Sequence, residues 1–166
     1  MLYNLVAALD KRFGFEHAAA HCDVPCGIYD PIVAQIDALT VVRMIDLITD
    51  LEKNFPQAGA ARSNADVRYT LVKEEHAEKC KKEIRVIWGD YIKAQHIEKH
   101  PEVHALVHKI MQLGSKCRQT VDRETALQLV EAVNEFAAIF WDTKGIATKR
   151  AKAPYAPGLE LVYPAL

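Results

Sequence analysis

The chain has 166 residues, half of them hydrophobic, with 21 basic and 22 acidic side chains and four cysteines. That length suits one compact domain with a sizeable core and is short for two. The near-neutral charge lacks the basic excess that phosphate backbones attract, which argues against a nucleic-acid partner, and no apolar run approaches the roughly 20 residues that span a bilayer, so no membrane role is expected.

Met1 to Ala20 hold an apolar stretch from Leu2 to Leu9, then Asp10, Lys11 and Arg12, then Phe13 to Ala20. A secretory signal places its positive charge first and its apolar run second. Here the order is inverted, so residues 1–20 read as a leader that a maturation peptidase removes and that does not serve export, with a targeting peptide as the alternative. The cytoplasm is the expected location. Ala18-Ala19-Ala20 is a small-residue run of the kind peptidases cut, and cleavage there makes His21 a new N-terminus with a free amine.

The segment His21-Cys22-Asp23-Val24-Pro25-Cys26-Gly27-Ile28-Tyr29-Asp30-Pro31 places an imidazole and two thiols within six residues, beside turn-forming prolines and a glycine. Four cysteines, two of them this close, point to metal or redox use more than to a disulfide framework. A free α-amine titrates only slightly above neutrality, so a metal displaces its proton at little cost. His21 then offers amine and imidazole nitrogens, Cys22 its thiolate and a neighbouring backbone nitrogen, and Cys26 a second thiolate. Pro25 bends the chain and Gly27 permits unusual dihedrals, which lets Cys26 swing back towards Cys22. Asp23 suits the turn by accepting backbone N–H bonds. Mixed nitrogen and sulfur donors in a plane favour Ni(II) or Cu(II) over the tetrahedral ion that four thiolates select. Thiolates and an anionic amide push charge onto the metal and stabilise a higher oxidation state. A bare Cys-x-x-x-Cys pair is compatible with a reversible disulfide as well.

Asp30 as cap and Pro31 in the first turn predict a helix start. Ile32, Ile36, Leu39, Val42, Ile45, Ile48 and Leu51 recur at helical spacing until Asn54-Phe55-Pro56. Residues 57–63 read as a loop. From about Asn64 to near Gln95 a second helix carries Tyr69, Val72, His76, Cys80, Ile84, Ile87, Trp88 and Tyr91 on an inner stripe, with Lys73, Glu74, Glu78, Lys81, Lys82 and Glu83 on the wet face. His100-Pro101-Glu102 restarts a third, with Val103, Leu106, Val107, Ile110, Met111 and Leu113 inward, to about Arg118. Asp122 or Thr120 caps a fourth, through Ala126, Leu127, Val130, Val133, Ala137, Phe140 and Trp141, to a stop at Gly145. Four amphipathic helices without a convincing strand predict an all-α, antiparallel four-helix bundle with an N-terminal metal-binding hook. The domain spans residues 21–146. Residues 147–166, with Pro154, Pro157 and Pro164, read as an extended tail whose Val162, Tyr163 and Leu166 either dock on a partner subunit or belong to a frayed terminus.

The eleven residues from His21 resemble the nickel hook of nickel superoxide dismutases, whose mature chains begin His-Cys-Asp-x-Pro-Cys-Gly-x-Tyr-Asp-Pro. The resemblance continues through Val72-Lys73-Glu74, Trp88-Gly89-Asp90-Tyr91, His100-Pro101-Glu102-Val103-His104 and Phe140-Trp141-Asp142-Thr143-Lys144, to about Gly145. It implies one nickel ion per subunit, held by His21, Cys22 and Cys26, with the His21 imidazole axial in the oxidised form. It also implies disproportionation of superoxide by Ni(III)/Ni(II) cycling, and a homohexamer. Tyr29 and Tyr91 are the candidate catalytic residues, since the reduction of superoxide needs hydrogen-bond donors and limited access for peroxide, which attacks thiolates. Tyr91 is selected through the resemblance of its segment to one whose tyrosine faces the active site, and a core ring with its hydroxyl satisfied at the edge is an equal reading of it. Family members often carry Glu where Asp37 stands and Arg where His76 stands, a pair that holds the metal-bound imidazole. Asp37 keeps the acceptor but is shorter. His76 keeps a donor, though an imidazole is charged only part of the time near neutral pH, and a satisfied core histidine is an equal reading of it.

His96, His100, His104 and His108 fall at intervals of four, but Pro101 interrupts any metal-binding ladder and solvated or capping roles suit them better. Cys80 and Cys117 lie on apolar stripes as small core residues. A nickel or copper carrier without turnover, and a thiol redox sensor that keeps its leader, are the competing readings of the same hook.

Overall fold

The structure, a computed structural model, describes residues 27–166. The expected leader and the hook residues His21, Cys22, Asp23 and Cys26 lie outside the described residues. The bundle starts where the cap predicts: the Asp30 carboxylate accepts the Ile32 amide at 2.8 Å, and α1 runs over Ile32–Thr49. A short α2, Leu51–Asn54, follows the turn at Asp50, so the first helix is interrupted before Asn54. α1 buries Ala34, Ala38, Val41, Val42 and Ile45 together with Gln35 and Asp37. Ile36, expected on the inner stripe, is 43% exposed. The helix is rotated so that Gln35 and Asp37 face partners on neighbouring helices, which turns Ile36 outward.

α3, Ala60–Val86, begins inside the segment read as a loop, because Ala60 and Ala61 are strong helix formers. Lys73, expected on the wet face, is only 2% exposed. Its Nζ donates to the carbonyls of Cys117 at 2.6 Å, Arg118 at 2.7 Å and Thr120 at 3.2 Å. These sit at the end of α5, Val103–Gln119, where helical carbonyls lack intrahelical partners. A cation there also faces the negative end of the helix dipole.

α3 does not continue to Gln95. It passes into a π turn over Ile87–Tyr91, closed by the Ile92 amide on the Ile87 carbonyl at 3.2 Å, and a short α4, Ala94–Lys99, follows. The wider turn shifts the helical register. Trp88, expected inside, is therefore 36% exposed, while Tyr91 and Ile92 pack on the core. α6, Arg123–Thr143, is capped by Asp122, which accepts the Glu124 amide at 3.1 Å and the Thr125 hydroxyl at 2.5 Å. It ends at Gly145, where φ is +70° and the Ile146 amide reaches back to the Trp141 carbonyl at 3.0 Å.

The long helices α1, α3, α5 and α6 form the expected four-helix bundle: α1 packs on α3 and α6, and α5 on the same two. Phe136, Phe140, Ile45, Ile84, Ile110 and Leu129 fill the centre. The segment after Gly145 departs from the sequence reading, because it contains strands. β1, Thr148–Lys152, pairs antiparallel with β2, Glu160–Pro164, with Arg150 opposite Val162. Pro154 and Pro157 fall in the connection and Pro164 at the ladder's end, where no central strand donor is lost. Leu161 and Val162 are buried on the chain's own bundle, whereas Leu166 is 98% exposed.

A buried amide pair seats this hairpin. Gln35 Nε2 donates to Asn134 Oδ1 at 2.9 Å and to the Val162 carbonyl at 3.0 Å. The Val162 amide donates to Asn134 Oδ1 at 3.1 Å, and Asn134 Nδ2 to the Glu160 carbonyl at 2.9 Å. The Val162 backbone groups are buried and find their partners here.

Lys73→Met keeps the apolar stem but leaves three carbonyls at the end of α5 without their donor, and is expected to cost about 3 kcal/mol in denaturant unfolding. A loss below about 1 kcal/mol would mean that solvent reaches those carbonyls.

Candidate functional site

Two pairs of sequence-selected residues lie along the seam between α1 and α3. At the start of α1, the Tyr29 ring meets Tyr91 from the end of the π turn, with centroids 5.6 Å apart and planes tilted by 47°. A cleft of about 190 Å³ opens beside them, lined by Ile28, Tyr29, Asp30, Val33, Glu83 and Ile87. Further along the same seam, His76 Nδ1 donates to Asp37 Oδ1 at 2.6 Å. Asp37 is seven residues beyond Asp30, about 10 Å along a helix. The structure thus joins Tyr29 to Tyr91 and Asp37 to His76, as two neighbouring groups and not one cluster.

Asp37 is 4% exposed. Its Oδ2 is buried and accepts no hydrogen bond among the described residues. Burial pushes its carboxyl above the ordinary value near 3.8, while the His76 hydrogen bond and charge pull it back. A carboxylate placed in low dielectric with one oxygen unused costs stability unless a further donor reaches it.

Tyr91 is partly buried and has contacts from several residues. His96 stacks on its ring at 5.1 Å and 20°, and Phe140 lies 5.0 Å away. Lys144 Nζ sits 4.9 Å from the ring centroid, within cation–π range. The Tyr91 hydroxyl lies 2.8 Å from Thr143 Oγ1. Sequence reasoning did not single out His96, Thr143 or Lys144 as neighbours of Tyr91. Thr143 and Lys144 are 52 and 53 residues away from it, and only the packing of α6 brings them in.

The four histidines at intervals of four are dispersed, as Pro101 implied. His96 stacks on Tyr91, His100 Nε2 pairs with Asp142 Oδ2 at 2.6 Å, and His104 Nδ1 accepts the Trp88 indole N–H at 2.9 Å. No group of three or more possible metal ligands occurs among the described residues. Cys80 and Cys117 are buried free thiols; burial pushes Cys117 up to about 11, and Cys80 higher still, so neither offers a thiolate.

The family model for nickel-containing superoxide dismutase matches residues 16–144. The chain belongs to that family. Its sequence is 35% identical over 126 residues to a nickel superoxide dismutase of Streptomyces coelicolor, covering 76% of this chain and 89% of the relative. The enzyme of the same name from Streptomyces seoulensis is 34% identical over 128 residues, with the same coverage. Among solved structures, native nickel superoxide dismutase superposes with a TM-score of 0.65 at 34% identity, over 75% of this chain and 99% of the other. A structure of the enzyme with nickel ligation corresponding to the oxidised state superposes equally well. The family match stops at residue 144, just before the β1–β2 hairpin.

Because burial dominates at Asp37, removing its charge should relieve the metal-free nickel superoxide dismutase fold. A carboxyl raised in the folded state binds its proton more tightly there, so the charge costs stability at neutral pH and the cost fades as pH falls through the raised value. Asp37→Asn is expected to be at least as stable as the wild type at pH 7 in urea unfolding of metal-free protein, with the difference shrinking towards pH 4. A loss of more than about 1 kcal/mol at pH 7 would show that the attraction of His76 outweighs burial.

Proposed function

We propose that this protein disproportionates superoxide: two superoxide anions and two protons give one dioxygen and one hydrogen peroxide. The observation that carries the reading is the family match through residues 16–144, which includes His21, Cys22 and Cys26. The reading assigns nickel to those three residues, after removal of Met1 to Ala20 by a maturation peptidase has freed the His21 amine. Bound nickel would supply one-electron exchange between its Ni(II) and Ni(III) states, which thiolate and amide donors make accessible.

The described residues fit such a centre at a specific atom. Asp37 Oδ2 is a buried acceptor with no donor among the described residues, and it suits the ring N–H of a ligating histidine arriving from the segment before Gly27. Metal-bound imidazoles commonly donate their second nitrogen to a carboxylate, which fixes the ring and raises its basicity. In this assignment His76 holds the carboxylate from the other oxygen, and Asp37 holds His21. The shorter Asp and the imidazole of His76 then do the work of the Glu and Arg pair common in the family. Asp23 steadies the hook by accepting backbone N–H groups.

Tyr29 lines the cleft and Tyr91 packs against the Tyr29 ring, so that in this reading the two narrow the approach. Their rings restrict a small anion's path and keep bulkier molecules from the thiolates, and the Tyr29 hydroxyl is the candidate source of a hydrogen bond to the anion. A homohexamer in the cytoplasm, with one nickel ion per subunit, completes the proposal.

Intact mass and metal analysis of the native protein test it. A chain that begins at His21 with one nickel per subunit and dismutates superoxide is the expected result, and Cys26→Ser is expected to lose both nickel and activity. A nickel-loaded chain without turnover would indicate a carrier. An active chain that retains Met1 to Ala20 would remove the amine from the ligand set.

A further inference from the structure

Thr143, in the last turn of α6, makes two hydrogen bonds through one oxygen. Its Oγ1 lies 2.6 Å from the Phe140 carbonyl oxygen and 2.8 Å from the Tyr91 hydroxyl. A threonine hydroxyl carries one hydrogen, and a carbonyl oxygen can only accept. The short contact to Phe140 therefore takes the Thr143 proton, and the bond with Tyr91 is left with one sense: Tyr91 donates and Thr143 accepts.

We infer that Thr143 is a positioning residue of this site, one that fixes the Tyr91 hydroxyl proton towards α6 and leaves the phenol oxygen as an acceptor. The stack on His96, the contact with Phe140 and the Lys144 ammonium over the ring prevent the phenol from turning as a whole. Only the hydroxyl torsion remains, and Thr143 sets it. The two tyrosines then differ in role although their rings touch. Tyr91 offers lone pairs to solvent or to a neighbouring donor, and it does not itself hand a proton to the substrate anion. A water or hydroxyl that donates to Tyr91 is oriented by it, and its remaining hydrogen or lone pair is what the anion meets. The functional part of this inference rests on the proposed dismutase reading; the sense of the hydrogen bond does not.

Three variants of the nickel-loaded protein test it: Thr143→Val, Thr143→Ser and Tyr91→Phe. Thr143→Val removes the acceptor and lets the Tyr91 hydroxyl rotate, whereas Thr143→Ser keeps both bonds. Dismutation by Thr143→Val is expected to fall about tenfold, the rate equivalent of one neutral hydrogen bond. Thr143→Ser is expected to restore wild-type turnover, and Thr143→Val added to Tyr91→Phe to cause no further loss. The tyrosine doublet in ultraviolet resonance Raman reports whether a phenol donates or accepts. The wild-type minus Thr143→Val difference spectrum is expected to show the loss of one donating phenol, and that difference is expected to vanish in the Tyr91→Phe background. An unchanged doublet, or a Thr143→Ser variant as impaired as Thr143→Val, would overturn the inference. A wild-type protein with no dismutation at all would overturn the functional reading, while the Raman result still decides the direction of the Tyr91 bond.

Discussion

The packing of α1 against α3 is the constraint on which the site depends. One helix contributes Asp37 and, just before its start, Tyr29; the other contributes His76 and leads into Tyr91. Ala34, Ala38 and Ala77 are fully buried, and such small residues let helix backbones approach closely enough for short polar side chains to meet across the gap. At that separation an aspartate and a histidine reach 2.6 Å.

The π turn is the second device. An α-helix continued through Trp88-Gly89-Asp90-Tyr91 would keep Trp88 on the inner stripe, but the wider turn releases Trp88 to hydrogen-bond His104 and delivers Tyr91 to the cage formed by His96, Phe140 and Lys144. These residues come from two stretches of chain, α4 and the end of α6. This fits a group whose orientation matters, because a ring held by stacking, by a tilted aromatic contact and by a cation loses little further freedom when a substrate arrives.

The hairpin after Gly145 adds to the bundle without touching this arrangement. Gln35 and Asn134 form the buried link, and each satisfies strand backbone that the interior would otherwise leave unpaired. Such a linked polar pair specifies one register for β2, since a shift by one residue would place a different carbonyl at Gln35 and turn Leu161 outward. The hairpin thereby ties α1 to α6, on the side of α1 away from Lys73 and its cap on α5.

Much of the architecture was legible along the chain because helix starts, stops and apolar spacing are local signals. Asp30 with Pro31, Asp122 and Gly145 mark ends through bonds to residues two to five positions away, and no tertiary partner is needed to read them. The proposed hook is likewise a local pattern, His21, Cys22 and Cys26 within six consecutive residues, and it lies outside the described residues. The rotation of α1, the burial of Lys73, the π turn and the β1–β2 pairing were decided only by the fold. Lys73 is polar by composition and becomes interior only because the carbonyls that end α5 arrive beside it from 44 to 47 residues away. The Asp37 oxygen left without a donor among the described residues and the contact of the Tyr91 hydroxyl with Thr143 are of the same kind, since a hydrogen bond to a distant residue leaves no mark on local spacing. Sequence determined which groups the protein has and which helices carry them; tertiary packing decided which atoms are satisfied and which remain available for chemistry.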